Sequence, residues 1–357
     1  MTIKSLALCR IHIPLARTFV TAIRTVTAVE AVRVTLQDEE GTVGYGEAPA
    51  TALITGETLA SIEEAISAYI KPAIIDQPVD AHIGELIQSA IYGNSSAKAA
   101  VEMAWQDLRA QKIKSPLYKI FGGNKKFLTN DITISIGSLE DMTHHALTAI
   151  ADGFSILKIK SGAHPETDAQ QIIALWNNIK AYPTSLRIDA NQGWTPRQAI
   201  NIIRTWEDAG VPIDLIEQPV PAWDIEGLAA VHHHVNLPIA ADESVFSPKD
   251  AMKCIQQRAA SVINIKLMKT GGIGPALDIC TLCRTNGLEC MVGCMMEGEI
   301  GAAAAVHLAA SQSIITRVDI DSPLLCKPGY YTGGPTFCGP AIILTDCPGI
   351  GTRPINV

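Results

Sequence analysis

The chain has 357 residues, 47% of them hydrophobic and 18% charged, with a formal net charge of -8. These proportions exclude a disordered chain and leave room for two domains or for one barrel with an attachment. Scattered Lys and Arg offer no basic face to nucleic acid, and no uncharged apolar stretch of about 18 residues offers a membrane span. The apolar run before Arg10 and His12 is shorter than a secretory leader of roughly 7 to 15 residues requires, so the cytoplasm is the expected compartment.

The amino-terminal third opens with alternation. Residues 31–36 (AVRVTL), the turn QDEEG and the run TVGYGEAPA predict an antiparallel meander. Helical apolar spacing follows over 61–71, 81–90 and 95–112, with Ser95 positioned to cap the third helix. An α+β unit of about 120 residues results.

Beyond Gly122 and Gly123 the rhythm changes. Short runs rich in Ile, Val and Leu recur at 131–136, 156–160, 186–189, 213–217, 239–242, 262–266, 288–293 and 316–321, each followed by a helical pattern. Eight such units predict a TIM-type barrel or a doubly wound sheet. Ionisable residues end the successive runs at near-regular intervals: Lys160, Asp189, Glu217, Asp242 and Lys266. Equal units favour the closed barrel, whose carboxyl strand ends meet at one mouth.

Asp189, Glu217 and Asp242 then form three neighbouring carboxylates, a hard oxygen set suited to Mg2+, with Mn2+ as the alternative ion. Lys158 and Lys160 are two apart on one strand and share its inward face. Two ammonium groups held together should depress each other's pKa, leaving one as a base. Lys266 lies further round the ring and approaches from the opposite side. A base on each side of a substrate carbon is what a racemase or epimerase needs. Two other motifs take bland readings: Cys280 and Cys283 (CxxC) as reduced core thiols, and His232, His233 and His234 as a solvated helix end.

The motifs KIK (158–160), DAN (189–191), EQP (217–219), DES (242–244) and the K–TGG run from Lys266 resemble the muconate-lactonizing subgroup of the enolase superfamily. GYGEAP near the amino terminus and GGP near the end extend the resemblance over nearly the whole chain. It implies a modified (β/α)7β barrel at 126–325, capped by an α+β domain formed from 1–125 together with 326–357. Specificity loops are expected near 15–27 and 45–57.

Asp319 and Asp321, two apart in RVDIDSP, are similar to the DxD of dipeptide epimerases, where the pair binds the substrate's ammonium. Across the mouth, the metal and Lys158 call for a carboxylate, so a zwitterionic dipeptide suits both ends. Arg24 resembles the arginine that reads a glutamate side chain in epimerases acting on Ala-Glu. Thr133 and Cys294 fall at substrate-contact positions, and Asn191, Glu243 and Glu297 are supporting polar groups. The resemblance thus implies a Mg2+-dependent L-Ala-D/L-Glu epimerase acting on murein-derived dipeptides, with Lys160 and Lys266 as its bases. The expected partner is a small dipeptide, not nucleic acid or membrane, and a homo-oligomer is left open. An N-acylamino-acid racemase or cycloisomerase of the same subgroup, a Schiff-base lyase using Lys266, and a non-catalytic carboxylate-binding barrel are the competing readings.

Overall fold

The computed structural model describes residues 2–21, 24–80 and 82–355. Its first sheet is the meander β1 (Ile3–Val20), β2 (Thr25–Asp38) and β3 (Val43–Pro49), antiparallel throughout. Val32, Val34 and Leu36 alternate toward one face, where they meet Ile62, Ile66, Ile70, Ile74 and Trp105 in a core separate from the barrel's. The helix Ser95–Lys112 lies so close to β3 that a Cβ on Gly46 would sit 1.8 Å from the carbonyl oxygen of Ala100. The glycines of GYGEAP are therefore required by packing.

Two details differ from the sequence reading. The first predicted helix runs from Leu59 to Ile74 with a π-helical turn at Ala65–Ile70. Ser95 does not cap the helix it begins: Asn94 holds the cap position without a side-chain bond. The first-turn amides of Ser96 and Ala97, which have no partner within the helix, donate instead to the Glu57 carboxylate at 2.8 and 3.0 Å, because a loop folded across the helix end brings it there.

β4 (Phe127–Thr129) leads into eight parallel strands: β5 (Ile132–Ile134), β6 (Ile156–Lys160), β7 (Ser185–Asp189), β8 (Ile213–Glu217), β9 (Ile239–Ala241), β10 (Val262–Ile265), β11 (Glu289–Gly293) and β12 (Ile315–Asp319). They neighbour one another in sequence order, with helices between them, as a (β/α)7β barrel. Among the described residues no backbone ladder joins β5 to β12. Side chains close that seam: Asn130 donates to the carbonyl of Ile320 at 3.0 Å and accepts from its amide at 2.8 Å, and the Thr133 amide donates to Asp321 at 2.8 Å.

Inward positions form layers. Leu215, Ala240, Val262 and Met291 make an apolar plug, beside which Arg187 pairs with Asp131 at 2.7 Å and with Asp214 at 2.9 Å. Two residues further along each strand the inward positions become Lys160, Asp189, Glu217, Asp242, Asn264 and Asp319, with Lys266 and Asp321 just past their strands. The chain then returns to the cap through β13 (Tyr331–Gly333), β14 (Thr336–Cys338), β15 (Ala341–Ile343) and β16 (Thr352–Pro354). β15 pairs with β4, the Tyr331 hydroxyl donates to Glu47 at 2.7 Å, and Arg353 pairs with Asp107 at 3.0 Å. Among the described residues no helix is long and apolar enough to cross a membrane.

Candidate active site

A small cavity of about 40 Å³ lies at the mouth. Arg24, Thr133, Lys158, Lys160, Asn191, Lys266, Cys294, Asp319 and Asp321, all singled out from sequence, line it. Phe19, Thr21 and Arg24 come from the end of β1 and the turn after it, and Ile54 from the second predicted loop. Ala22 and Ile23, inside the first predicted loop, lie outside the described residues. Asp189, Glu217, Asp242, Glu243 and Glu297 are buried beneath the lining.

Each of the three neighbouring carboxylates is divided between two contacts, one on each oxygen. Asp189 accepts from the Asn191 amide on Oδ1 at 2.9 Å and from Lys160 on Oδ2 at 2.6 Å. Glu217 accepts from Asn264 Nδ2 on Oε1 at 2.8 Å, while Lys158 Nζ lies 2.7 Å from Oε2. Asp242 accepts from Lys266 on Oδ2 at 2.7 Å, and Lys269 Nζ lies 2.6 Å from Oδ1. Among the described residues no three Asp, Glu, His or Cys side chains are arranged to hold a metal ion as they stand; a lysine lies against each of the three acids. Glu243 Oε2, Asn191 Oδ1 and Asn264 Oδ1 are buried without a hydrogen-bond donor, so polar capacity remains around the acids.

The backbone at the mouth is unusual. Asn191 (φ 42°), Gln192 (φ 70°) and Gln218 (φ 36°) are in the left-handed region, which costs non-glycine residues about 1 kcal/mol or more each. Gln218 repays this locally, because its Oε1 accepts from the amides of Asp242 and Ser244 at 2.9 and 3.2 Å and so orients the end of the fifth barrel strand.

Electrostatics correct one expectation. Burial opposes the charge of Lys158, but Asp319, Glu217, Asp189 and Asp131 outweigh it and raise its pKa. Repulsion between Lys158 and Lys160 therefore does not depress Lys158; acids within 2.6 to 3.1 Å govern it. Lys266 is likewise raised: burial works against its charge, and Asp242 and Glu217 more than compensate. Asp189 is buried, yet Lys160 and Lys158 hold it at about 2. Burial and the neighbouring charge of Asp189 push Glu217 up to about 7, and burial together with Asp242 does the same to Glu243.

The DxD pair points inward. Asp319 accepts from Lys158 at 2.6 Å, and Asp321, although at the start of the short helix Ser322–Leu325, sends its carboxylate to the Thr133 amide instead of capping that helix. Arg24 is half-buried; burial pulls its pKa down, opposed by Glu243. Among the described residues its guanidinium forms no ion pair, so it is available to an anion. Glu297 feels the charge of Lys266 but is buried beside Glu47, with Oε2 unpartnered. Cys280 and Cys283 are free, buried thiols; His233 and His234 are exposed at their helix end, and His232 is half-buried with its ring against the Arg258 carbonyl.

Sequence reasoning missed Asn264 and Lys269. Asn264 precedes Lys266 by two and so shares its inward face, a parity visible in NIKLMKTGG. Met295 and Met296 also line the cavity, and no periodicity marked them because they follow the strand.

Residues 6–122 match the family model for the mandelate racemase / muconate lactonizing enzyme N-terminal domain, and residues 141–355 match the enolase C-terminal domain-like model. The L-Ala-D/L-Glu epimerase of Clostridium acetobutylicum is 46% identical over 358 residues, covering 100% of both chains. The substrate-liganded L-Ala-D/L-Glu epimerase of Bacillus subtilis superposes with a TM-score of 0.96 at 44% identity, covering 99% of each chain. A dipeptide epimerase of Enterococcus faecalis, complexed with Mg and L-Leu-L-Tyr, gives 0.95 at 39% identity over 99% of this chain and 100% of that one.

Proposed function

The chain belongs to the mandelate racemase / muconate lactonizing enzyme family of the enolase superfamily, and from that premise we propose that it is a dipeptide epimerase converting L-Ala-L-Glu and L-Ala-D-Glu. The observation that carries the reading is the pair Lys160 and Lys266, at the ends of the second and sixth of eight barrel strands and lining one buried cavity. Four strands is half the circumference, so the two ammonium groups reach a substrate carbon from opposite sides. One lysine removes the α proton of the carboxyl-terminal residue and the other returns a proton to the opposite face. In this reading Lys160 serves the R-configured carbon and Lys266 the S-configured one.

Asp189, Glu217 and Asp242 would hold Mg2+, with Mn2+ as an alternative; their buried hard oxygens suit such an ion, which would take the place of the lysine contacts they now make. When bound, the ion offsets negative charge on the substrate carboxylate as the proton leaves. Lys158, held protonated by its acids, adds a fixed positive charge on the same side. Asp319 and Asp321 take the dipeptide's ammonium, and Arg24 the glutamate side chain. Residues 1–125 and 326–357 serve as the cap and 126–325 as the barrel, in a cytoplasmic enzyme supplied with murein-derived dipeptides.

The test is proton NMR of L-Ala-L-Glu in D2O with Mg2+. The wild type should exchange the glutamate α proton and form the L,D diastereomer, both abolished by EDTA. Lys160→Ala and Lys266→Ala should each lose epimerisation by about 10²- to 10⁴-fold while retaining exchange with one diastereomer. Equal retention of epimerisation by both variants would sink the two-base assignment. Exchange confined to N-acylated amino acids would favour the racemase reading.

A further inference from the structure

We propose that Lys269 on Asp242, assisted by Asn264 on Glu217, leaves these two metal-facing carboxylates one usable oxygen each and thereby selects Mg2+ over the larger Ca2+; this rests on the metal reading above. Lys269 is 1% exposed, and no proton-transfer step uses it. Its ammonium donates to the main-chain carbonyl of Asp242 and, at 3.0 Å, to that of Asn264, and it lies 5.8 Å from the Phe246 ring centroid. The same ammonium is 2.6 Å from Asp242 Oδ1. That contact is a close charge contact without hydrogen-bond alignment, since Oδ1 has no donor aimed along its lone pairs.

The arrangement has a back and a front. At the back, Asp189 Oδ1 is tied to the Asn191 amide, Glu217 Oε1 to Asn264 Nδ2 and Asp242 Oδ1 to Lys269. At the front, the second oxygens face Lys160, Lys158 and Lys266, which line the cavity or lie against it. A cation entering from the mouth would therefore meet one oxygen per acid, in place of the lysine ammonium that each of these oxygens now faces.

Mg2+ takes about six ligands in an octahedron, one oxygen from each, whereas Ca2+ takes about six to eight and gains from bidentate carboxylates. Withholding the back oxygens costs Mg2+ nothing in ligand number and deprives Ca2+ of its preferred shell. Lys269 is the one back tie that carries charge. Losing it frees Asp242 Oδ1 and makes the cage more anionic, and both changes favour Ca2+ more than Mg2+.

The experiment measures dissociation constants of Mg2+ and Ca2+ by displacement of Mn2+, following the electron paramagnetic resonance signal of free Mn2+, for full-length wild type, Lys269→Met and Asn264→Leu. The Ca2+-to-Mg2+ ratio of dissociation constants should fall at least tenfold in Lys269→Met, and less but in the same direction in Asn264→Leu. A purely structural lysine would lower the melting temperature without moving that ratio, and an unchanged ratio in folded Lys269→Met overturns the inference. The wild type provides a check independent of variant folding: its crystal structure with Ca2+ should show Asp242 bound through Oδ2 alone, and coordination through both oxygens overturns the proposal. If wild type binds none of the three ions, the metal reading itself fails and takes this inference with it.

Discussion

His307 should give the protein an acid-side loss of stability that a single substitution isolates. It is buried in the helix Glu299–Ser311, where Nδ1 accepts from the Tyr118 amide and Nε2 faces the carbonyl of Ile350, each at 3.2 Å. Those partners require the neutral tautomer with its proton on Nε2, because a protonated ring would turn a second N–H against the Tyr118 amide. Burial holds its pKa at about 4, against the ordinary 6.5. The unfolded histidine thus takes up its proton near 6.5 and the folded one only near 4. Between those values the unfolded state binds more protons, so the contribution is intact above about 6.5 and is lost as the pH falls toward 4. At about 1.4 kcal/mol per pH unit the whole window is worth about 3 kcal/mol.

Other groups titrate nearby with the opposite sign. Glu217 and Glu243, raised to about 7, favour the folded state as the pH falls from 7 toward 4.5. The quantity to read is therefore a difference. Urea unfolding of wild type and His307→Gln, with EDTA present and at steps from pH 7.5 to 4, should show the wild-type advantage shrinking by about 3 kcal/mol. A difference that stays flat through the window, or an NMR titration of His307 centred near 6.5, would refute the reasoning.

Gly46→Ala should destabilise the protein by about 3 kcal/mol or more, read by urea unfolding, since its Cβ would lie 1.8 Å from a helix carbonyl that cannot withdraw. Asn130→Ala orphans the buried amide and carbonyl of Ile320 at the seam; a loss of about 3 kcal/mol is expected, and a change below about 1 kcal/mol would mean the seam closes without it. Arg24→Met should lower kcat/KM for L-Ala-L-Glu by about 10- to 150-fold, the worth of a charged hydrogen bond, and change L-Ala-L-Leu by less than about threefold. Equal losses on both substrates would remove Arg24 from glutamate recognition.

Period and spacing alone determined the layout of this chain. A side-chain period of two on a strand puts Lys158 with Lys160 and Asp319 with Asp321, and recurring units of similar length carry those strand ends to one mouth. The inward faces of those two strands were therefore legible from parity, and the dipeptide reading came from the resemblance of motifs placed at the mouth.

Tertiary structure decided what no local pattern encodes. Glu57 caps a helix nearly 40 residues away, and Asn130 closes the barrel against a strand 190 residues on, through contacts that depend on how distant segments meet. Lys269 lies outside the strand parity, in the turn after it, and only the folded turn reveals that its ammonium sits behind Asp242. The charge state of Lys158 was misjudged for the same reason. Its neighbour along the chain is a lysine, but its neighbours in space are three carboxylates, and Coulomb energy follows distance in space.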